Sequence, residues 1–249
     1  MAFPRLIPIL LMANRRLVKT IGFENPSYVG DVQNAIKIFN EKEVDEIVVL
    51  DVTKSKEARE PDYEYIEQLA AECFMPFTYG GGISSASIAR KVMECGVEKV
   101  SINTGYAQNH DLARNISLLL GSSSTVLSID VEVIESEYVV AGTNLSLVNV
   151  LTNAIVHGFG EVLIQSIDKD GRMNGPDLEL ISKASQSTSL PIVYAGGISS
   201  LDQCVDVWNS GASGVGAGAW FVYRGPHRAV MITYPKYDKV KSAFMDITA

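Results

Sequence analysis

Apolar residues fall along the chain in short runs separated by longer stretches with helical spacing. Runs rich in Val and Ile occur in EIVVLD, PFTYGG, KVSINT, TVLSID, EVLIQSID, PIVYAGG and GVGAGA. Such runs of four to eight residues predict buried strands, and residues 5–11 add an eighth. Between them the period becomes helical. Residues 84–95 (SSASIARKVMEC) open on serines able to cap, place Ile88 and Val92 one turn apart, and stop at Gly96. The apolar segment 6–13 (LIPILLMA) carries Pro8 and is followed by no cleavage-site pattern. It is far shorter than the ~20 residues that span a bilayer. A buried first strand and no membrane association are expected.

The pattern is written twice. Residues 77–104 and 192–219 align without a gap at an offset of 115, pairing Tyr79 with Tyr194, Gly81-Gly82 with Gly196-Gly197, Ser84-Ser85 with Ser199-Ser200, and Gly96 with Gly211. The same offset pairs Glu46 with Glu161 and Pro61-Asp62 with Pro176-Asp177. Eight strand–helix units of about 30 residues, four per half, predict a (β/α)8 barrel built from two similar half-barrels. An open doubly wound sheet is the alternative; a duplicated half that closes on its copy disfavours it.

With 249 residues and 47% hydrophobic residues, a single barrel domain over residues 1–249 is expected. The net charge of −8 argues against a nucleic-acid partner, which requires Lys and Arg against phosphates. It leaves room for a phosphorylated small molecule held by backbone N–H groups. Cys73, Cys95 and Cys204 are scattered, as are His110, His157 and His227. Neither a disulfide frame nor a metal site is expected, no cofactor is implied, and reduced thiols point to the cytoplasm.

Two constellations carry candidate chemistry. Three glycines, Gly80-Gly81-Gly82, end strand 3 and lead into a serine-started helix, and Gly196-Gly197 repeat this after strand 7. Glycine admits an anion close to the backbone and a helix N-terminus favours negative charge. One anion site per half is the direct reading; tight strand-to-helix turns are the plainer one. At the opposite end, strand alternation allows Arg5, Glu46, Lys99 and Glu161 to point inward at strand starts. They then form a compensated ring of two cations and two anions. Otherwise they are four solvated surface charges.

The segments FENPSYVGD, VVLDVTKS, PFTYGGGI, EKVSINT, SIDVE, SIDKDGRMNGPD and AGGI, together with these constellations, strongly resemble the HisF-type cyclase subunit of imidazole glycerol phosphate synthase over essentially the whole chain. The resemblance implies a (β/α)8 barrel docked on a HisH-like glutaminase at its floor. Ammonia then crosses the lumen to a bisphosphorylated substrate at the mouth. It implies an ammonia gate at Arg5, Glu46, Lys99 and Glu161 and a glutaminase contact at Glu98. Phosphate-binding positions would be Gly82, Asn103 and Thr104 in one half and Asp170, Gly171, Gly197, Gly218 and Ala219 in the other, with Lys19 as the loop lysine. Ala219 stands where the family has serine, which weakens that position to a backbone N–H.

The family works with two mouth aspartates, on strands 1 and 5. Asp130 matches the second; Leu11 stands at the first. Leucine carries no proton, and a positioned acid–base group contributes about 10²–10⁴-fold. Asp51, at the end of strand 2 among the ligand-binding positions, is the alternative acid. The strand-1 text ILL, FENPSYVGD and the late GPHRAVMITYP (225–235) resemble a divergent HisF-like branch. Its members act with a HisH-like glutaminase and a third, amidotransferase-like protein in acetamidino-sugar formation on surface polysaccharides such as lipopolysaccharide. That implies a phosphorylated or sugar-nucleotide acceptor. Two other readings remain open: the histidine-pathway cyclase itself, and a non-catalytic barrel that activates a glutaminase and conducts ammonia. Tyr63, Tyr65 and the 220–223 cluster (WFVY) offer a sugar-stacking surface, against the simpler expectation that they pack helices.

Overall fold

A computed structural model of the chain describes residues 4–54, 57, 59–103, 106, 109 and 111–245. Eight strands form the barrel: β1 (Arg5–Ala13), β2 (Ile47–Asp51), β3 (Phe77–Gly80), β4 (Lys99–Ile102), β5 (Thr125–Ile134), β6 (Glu161–Ser166), β7 (Ile192–Ala195) and β8 (Gly214–Ala217). Each pairs in parallel with the next, and β8 pairs in parallel with β1, with Arg5 opposite Gly214. The sheet therefore closes. Around it lie α1 (Val32–Glu41), α2 (Tyr63–Glu72), α3 (Ala86–Glu94), α4 (Asp111–Leu120), α5 (Leu147–Ala154), α6 (Leu178–Ser187), α7 (Leu201–Asn209) and α8 (Tyr237–Met245). The architecture is a (β/α)8 barrel, and the open-sheet alternative is set aside.

Strand alternation divides the apolar residues into two layers. Along β1, Leu6, Leu10 and Met12 face the helices, while Ile7, Ile9 and Leu11 face the lumen with Val48, Val126, Leu163 and Val193. Burial on both faces is why these strands read as continuous apolar runs. Residues 6–13 are thus the core of β1. Among the described residues no helix is long and apolar enough to cross a membrane.

The duplication extends to the helix starts. Asp62 caps α2 and Asp177 caps α6, each accepting the N–H three residues on; Ser85 and Ser200 do the same for α3 and α7. Each cap satisfies a donor that the helix leaves orphaned. The barrel also carries features that strand spacing did not announce. β1 and β5, the first strands of the two halves, overrun the barrel and fold back as hairpins. Residues 16–21 pair antiparallel with β1, followed by residues 24–31, and residues 137–140 pair with β5. The turns are two residues long, Asn14-Arg15 (φ 50° and 62°) and Glu135-Ser136 (φ 49° and 69°). Two consecutive positive φ values give the turn whose twist matches that of the strands.

Candidate active site at the barrel mouth and its floor

The floor of the barrel is closed by charge. Arg5 Nη1 donates to Glu46 Oε2 at 2.6 Å and Arg5 Nη2 donates to Glu161. Lys99 Nζ donates to Glu46 Oε1 at 3.0 Å and to Glu161 Oε2 at 2.9 Å. Each cation thus bridges both carboxylates, and Thr78 Oγ1 donates to Glu46 at 3.0 Å. The carboxylate side chains retain only 4% and 9% exposure, so the pairing offsets a desolvation cost that unpaired charges would not survive. Burial works against the Arg5 charge, but Glu161 and Glu46 outweigh it and raise its pKa. Burial likewise works against ionised Glu161, and Arg5 and Lys99 overcome it, holding the carboxyl below its ordinary value. The four predicted residues therefore form one inward ring and are not splayed into solvent. Glu98 lies exposed beside Lys99. The helix ends and loops on this side expose Phe74, Leu118 and Val156.

Above the ring the barrel interior is apolar, with Ile7, Ile9, Val48, Val126, Leu163 and Val193 buried against one another. At the strand C-termini lie two cavities. The larger, about 210 Å³, is lined by Leu11, Asp51, Gly82, Asn103, Asp130 and Gln165 among others. The smaller, about 40 Å³, is lined by Lys19, Asp170, Gly171, Gly197, Gly218 and Ala219 among others. Leu11, Thr20, Phe23 and Gln165 line both. The structure thus sorts the predicted mouth residues into one group around each glycine turn, with Asp130 of the second half joining the first group and Lys19 of the first half joining the second. Thr104 lies outside the described residues.

Asp130 sits on the wall of the larger cavity. Asn103 Nδ2 donates to its Oδ2 at 2.8 Å and Gln165 Nε2 to its Oδ1 at 3.1 Å. Burial pushes its pKa up to about 6; the two amides oppose this, and the charge of Asp170 adds to it. Asp51 is committed elsewhere: its Oδ1 accepts from Thr53 N, Thr53 Oγ1 and Lys54 N at 3.0, 2.7 and 3.3 Å. That carboxylate fastens its own loop. Leu11 is 8% exposed and pairs in register with Leu50 and with Val18 of the hairpin.

In the smaller cavity Lys19 is buried and its Nζ donates to Ile9 O at 2.8 Å. Burial lowers its pKa to about 8, with the Asp170 charge acting the other way. The Asp170 carboxylate accepts from Thr20 Oγ1 at 2.8 Å and Phe23 N at 3.2 Å, which pins the first hairpin over the mouth. On the far side Arg15 makes two hydrogen bonds to Asp62, at 2.7 and 2.9 Å, and lies over the Tyr65 ring. Arg228, in the late segment, donates to Gly171 O.

Sequence reasoning missed Gln165 and Ser128, both on the larger cavity. Both share a strand face with residues singled out from the sequence, Gln165 with Glu161 and Ser128 with Asp130, so strand alternation could have found them. Sequence reasoning equally missed Thr20, Phe23 and Pro26, which reach the mouth through the unforeseen hairpin. The aromatic candidates do not line either cavity. Tyr65 and Phe221 are buried, with Phe221 packed edge-on to Phe39 and stacked on Trp220, and Tyr63 OH donates to Glu60. They pack helices. Among the described residues no group of three or more His, Cys, Asp or Glu side chains could hold a metal ion.

Comparison with known proteins matches residues 5–227 to the family model described as "Histidine biosynthesis protein". A Leptospira interrogans protein named provisionally as subunit HisF of imidazole glycerol phosphate synthase is 41% identical over 250 residues, covering 97% of this chain and 98% of its own length. A Pseudomonas aeruginosa protein, provisionally named hisF2 of the same synthase, is 42% identical over 247 residues, covering 95% and 97%. Subunit HisF of Exiguobacterium sibiricum is 33% identical over 227 residues, covering 89% and 91%.

Proposed function

The chain belongs to the histidine biosynthesis protein family, and on that premise we propose that it is a HisF-type ammonia-channelling synthase subunit adapted to another acceptor. In this reading a HisH-like glutaminase docks on the floor, where Glu98 and the exposed Phe74, Leu118 and Val156 lie. Ammonia passes the ring of Arg5, Glu46, Lys99 and Glu161, crosses the apolar lumen and meets a phosphorylated or sugar-nucleotide acceptor at the mouth. The product is an acetamidino group made from the acetamido group of a surface-polysaccharide amino sugar, with a third, amidotransferase-like protein as further partner. Asp130 takes the proton released when ammonia adds to the acetamido carbonyl carbon, and the former carbonyl oxygen leaves as water.

The observation that carries this reading is the inequality of the two ends. The floor holds all four ring residues in mutual contact. The mouth, by contrast, presents Leu11 where the two-acid ring closure needs a second proton carrier. Asp51 does not fill that role well, because three donors of its own loop occupy one of its oxygens.

The test is ammonia-dependent turnover of the histidine-pathway substrate by the purified chain. Turnover should lie at least ~10²-fold below that of a two-aspartate relative, and Leu11→Asp should raise it. A native chain that turns this substrate over at the relative's rate is the histidine-pathway cyclase, and the proposal fails. The non-catalytic reading is separated by Asp130→Asn, which leaves product formation by the assembled complex unchanged only if the barrel reacts nothing itself.

A further inference from the structure

The larger cavity has two unlike walls. Ser101 on β4 and Ser128 on β5 share strand faces with Lys99 and Asp130, point into the barrel and line the cavity. They are 4% and 2% exposed, yet among the described residues neither hydroxyl has a hydrogen-bond partner. Thr78, the inward hydroxyl nearer the floor, donates to Glu46 instead. Among the described residues only Tyr79 OH is both unpartnered and shut off from any opening, so the two serine hydroxyls open on the cavity. A buried hydroxyl without a partner costs free energy, and a ligand acceptor within reach removes that cost.

Gln165 on β6 adds an acceptor to the same wall. It pairs in register with Asp130, and its Nε2 donates to Asp130 Oδ1 at 3.1 Å. An ionised carboxylate only accepts, so the Gln165 amide turns its NH2 to Asp130 and leaves its carbonyl Oε1 facing elsewhere. Among the described residues that oxygen has no donor, and Gln165 lines the cavity. Across the lumen the wall is apolar. Leu11 and Leu50 pair in register, lie on the lumen side of β1 and β2, and line the same cavity.

These walls ask for a neutral group with three unlike edges: an oxygen that accepts from two hydroxyls, an N–H for a carbonyl, and a small apolar end. A secondary acetamide carries all three on one rigid plane. A carboxylate would set a second negative charge against Asp130, and a free amine offers nothing for the hydroxyls to donate to once it is protonated. The match lies on the strands themselves, below the glycine turns.

We propose that the strand-lined part of the larger cavity is a seat for a secondary acetamide. The Ser101 and Ser128 hydroxyls donate to its carbonyl oxygen, its N–H donates to Gln165 Oε1, and its methyl packs on Leu11 and Leu50. This rests on the acceptor inferred above and adds the residues that recognise it. Leu11, besides carrying no proton, is then the residue that selects the acetyl group.

NMR titration of the whole chain, with its leucine methyls labelled, tests this with three small amides. N-methylacetamide should shift the Leu11 and Leu50 methyl signals saturably, with a Kd in the millimolar range expected of so small a ligand. N-methylformamide lacks the acetyl methyl and should bind about fourfold more weakly. N,N-dimethylacetamide lacks the N–H and should bind about fivefold more weakly. Ser101→Ala with Ser128→Ala should weaken N-methylacetamide about tenfold and keep its advantage over N-methylformamide. Leu11→Ala, read from the Leu50 methyls, should abolish that advantage. Unfolding midpoints show that each variant is folded. N-methylacetamide that leaves both leucines unmoved, binds no better than the other two amides, or is indifferent to these variants overturns the seat. If the seat fails while turnover of the histidine-pathway substrate is low, the proposed function stands; full turnover beside a working seat overturns the function alone.

Discussion

Lys99→Met tests whether the floor is a sealed ring or four surface charges that happen to touch. Lys99 donates to both Glu46 and Glu161. Its removal leaves two carboxylates, 4% and 9% exposed, sharing Arg5 alone. Breaking a buried pair by deleting one partner costs about 3–5 kcal/mol. Lys99 and Arg5 keep 20% and 30% of their side-chain exposure, so the lower end, about 3 kcal/mol, is expected at pH 7. The cost must depend on pH with a definite sign. Glu161 is held below its ordinary value of 4.5 in the folded protein. Its contribution is therefore present above pH 4.5 and lost as pH falls through the lower native value. Lys99 is one of the groups that depress it, so the variant should suffer most at neutral pH and approach the native protein in acid. Urea unfolding of both proteins at pH 7 and pH 4 measures the gap. Lys99→Met with Glu46→Gln should recover most of the loss, since it restores charge balance. A cost under about 1 kcal/mol at pH 7 is what exposed pairs show, and it would refute the sealed ring.

Two further outcomes follow from the mouth and from the helix–barrel layer. The half-barrels place Tyr79 and Tyr194 at matching positions, yet Tyr194 OH accepts from Asp177 N at 2.9 Å while the fully buried Tyr79 OH has no partner among the described residues. Tyr194→Phe should cost about 1–3 kcal/mol and Tyr79→Phe should be neutral or stabilising by about 1 kcal/mol; unfolding midpoints moving in the same direction would refute the distinction. Asp130 is raised by burial to about 6, so its ionisation destabilises the fold above that pH and not below its ordinary value of 3.8. Asp130→Asn should therefore gain thermal stability relative to the native protein at pH 8 and lose that gain by pH 4. The native complex's product formation should fall on an acidic limb near pH 6; a limb absent above pH 4.5 refutes the assignment.

What the sequence exposed and what it hid divide along physical lines. Strands buried on both faces must be continuously apolar, so β2 through β8 stood out as Val- and Ile-rich runs, and the offset of 115 supplied the closure. Period-two alternation allowed Arg5, Glu46, Lys99 and Glu161 to share one inward rim, and their contacts decide for it over four solvated surface charges. The hairpins were hidden because Asn14-Arg15 and Glu135-Ser136 turn with positive φ without the Asn-Gly or Asp-Gly pair that usually advertises such a turn. With the first hairpin went Thr20, Phe23 and Pro26. The inequality of the cavities was also illegible. The glycine turns are symmetric in sequence and in φ, but Lys19 lines the smaller cavity and among the described residues no lysine lines the larger, about 40 Å³ against about 210 Å³.

Leu11 connects these features. It lies on the wall common to both cavities, across the lumen from Asp130. An aspartate there would add a second negative charge at the mouth, and like charges in a shared site raise one another's pKa and divide a proton between them. With leucine, the wall is apolar and Asp130 is a single base whose pKa follows from burial against two amide donors. At pH 7 such a group is largely ionised and still protonates readily, the property needed to collect one proton from an adding amine. A two-acid cycle has instead to deliver and withdraw protons at separate atoms. On the proposed function, leucine there simplifies the chemistry at the mouth, while the charge ring and the apolar interior beneath it remain as they are. That partition is what a barrel would need if its nitrogen supply were retained and its acceptor changed.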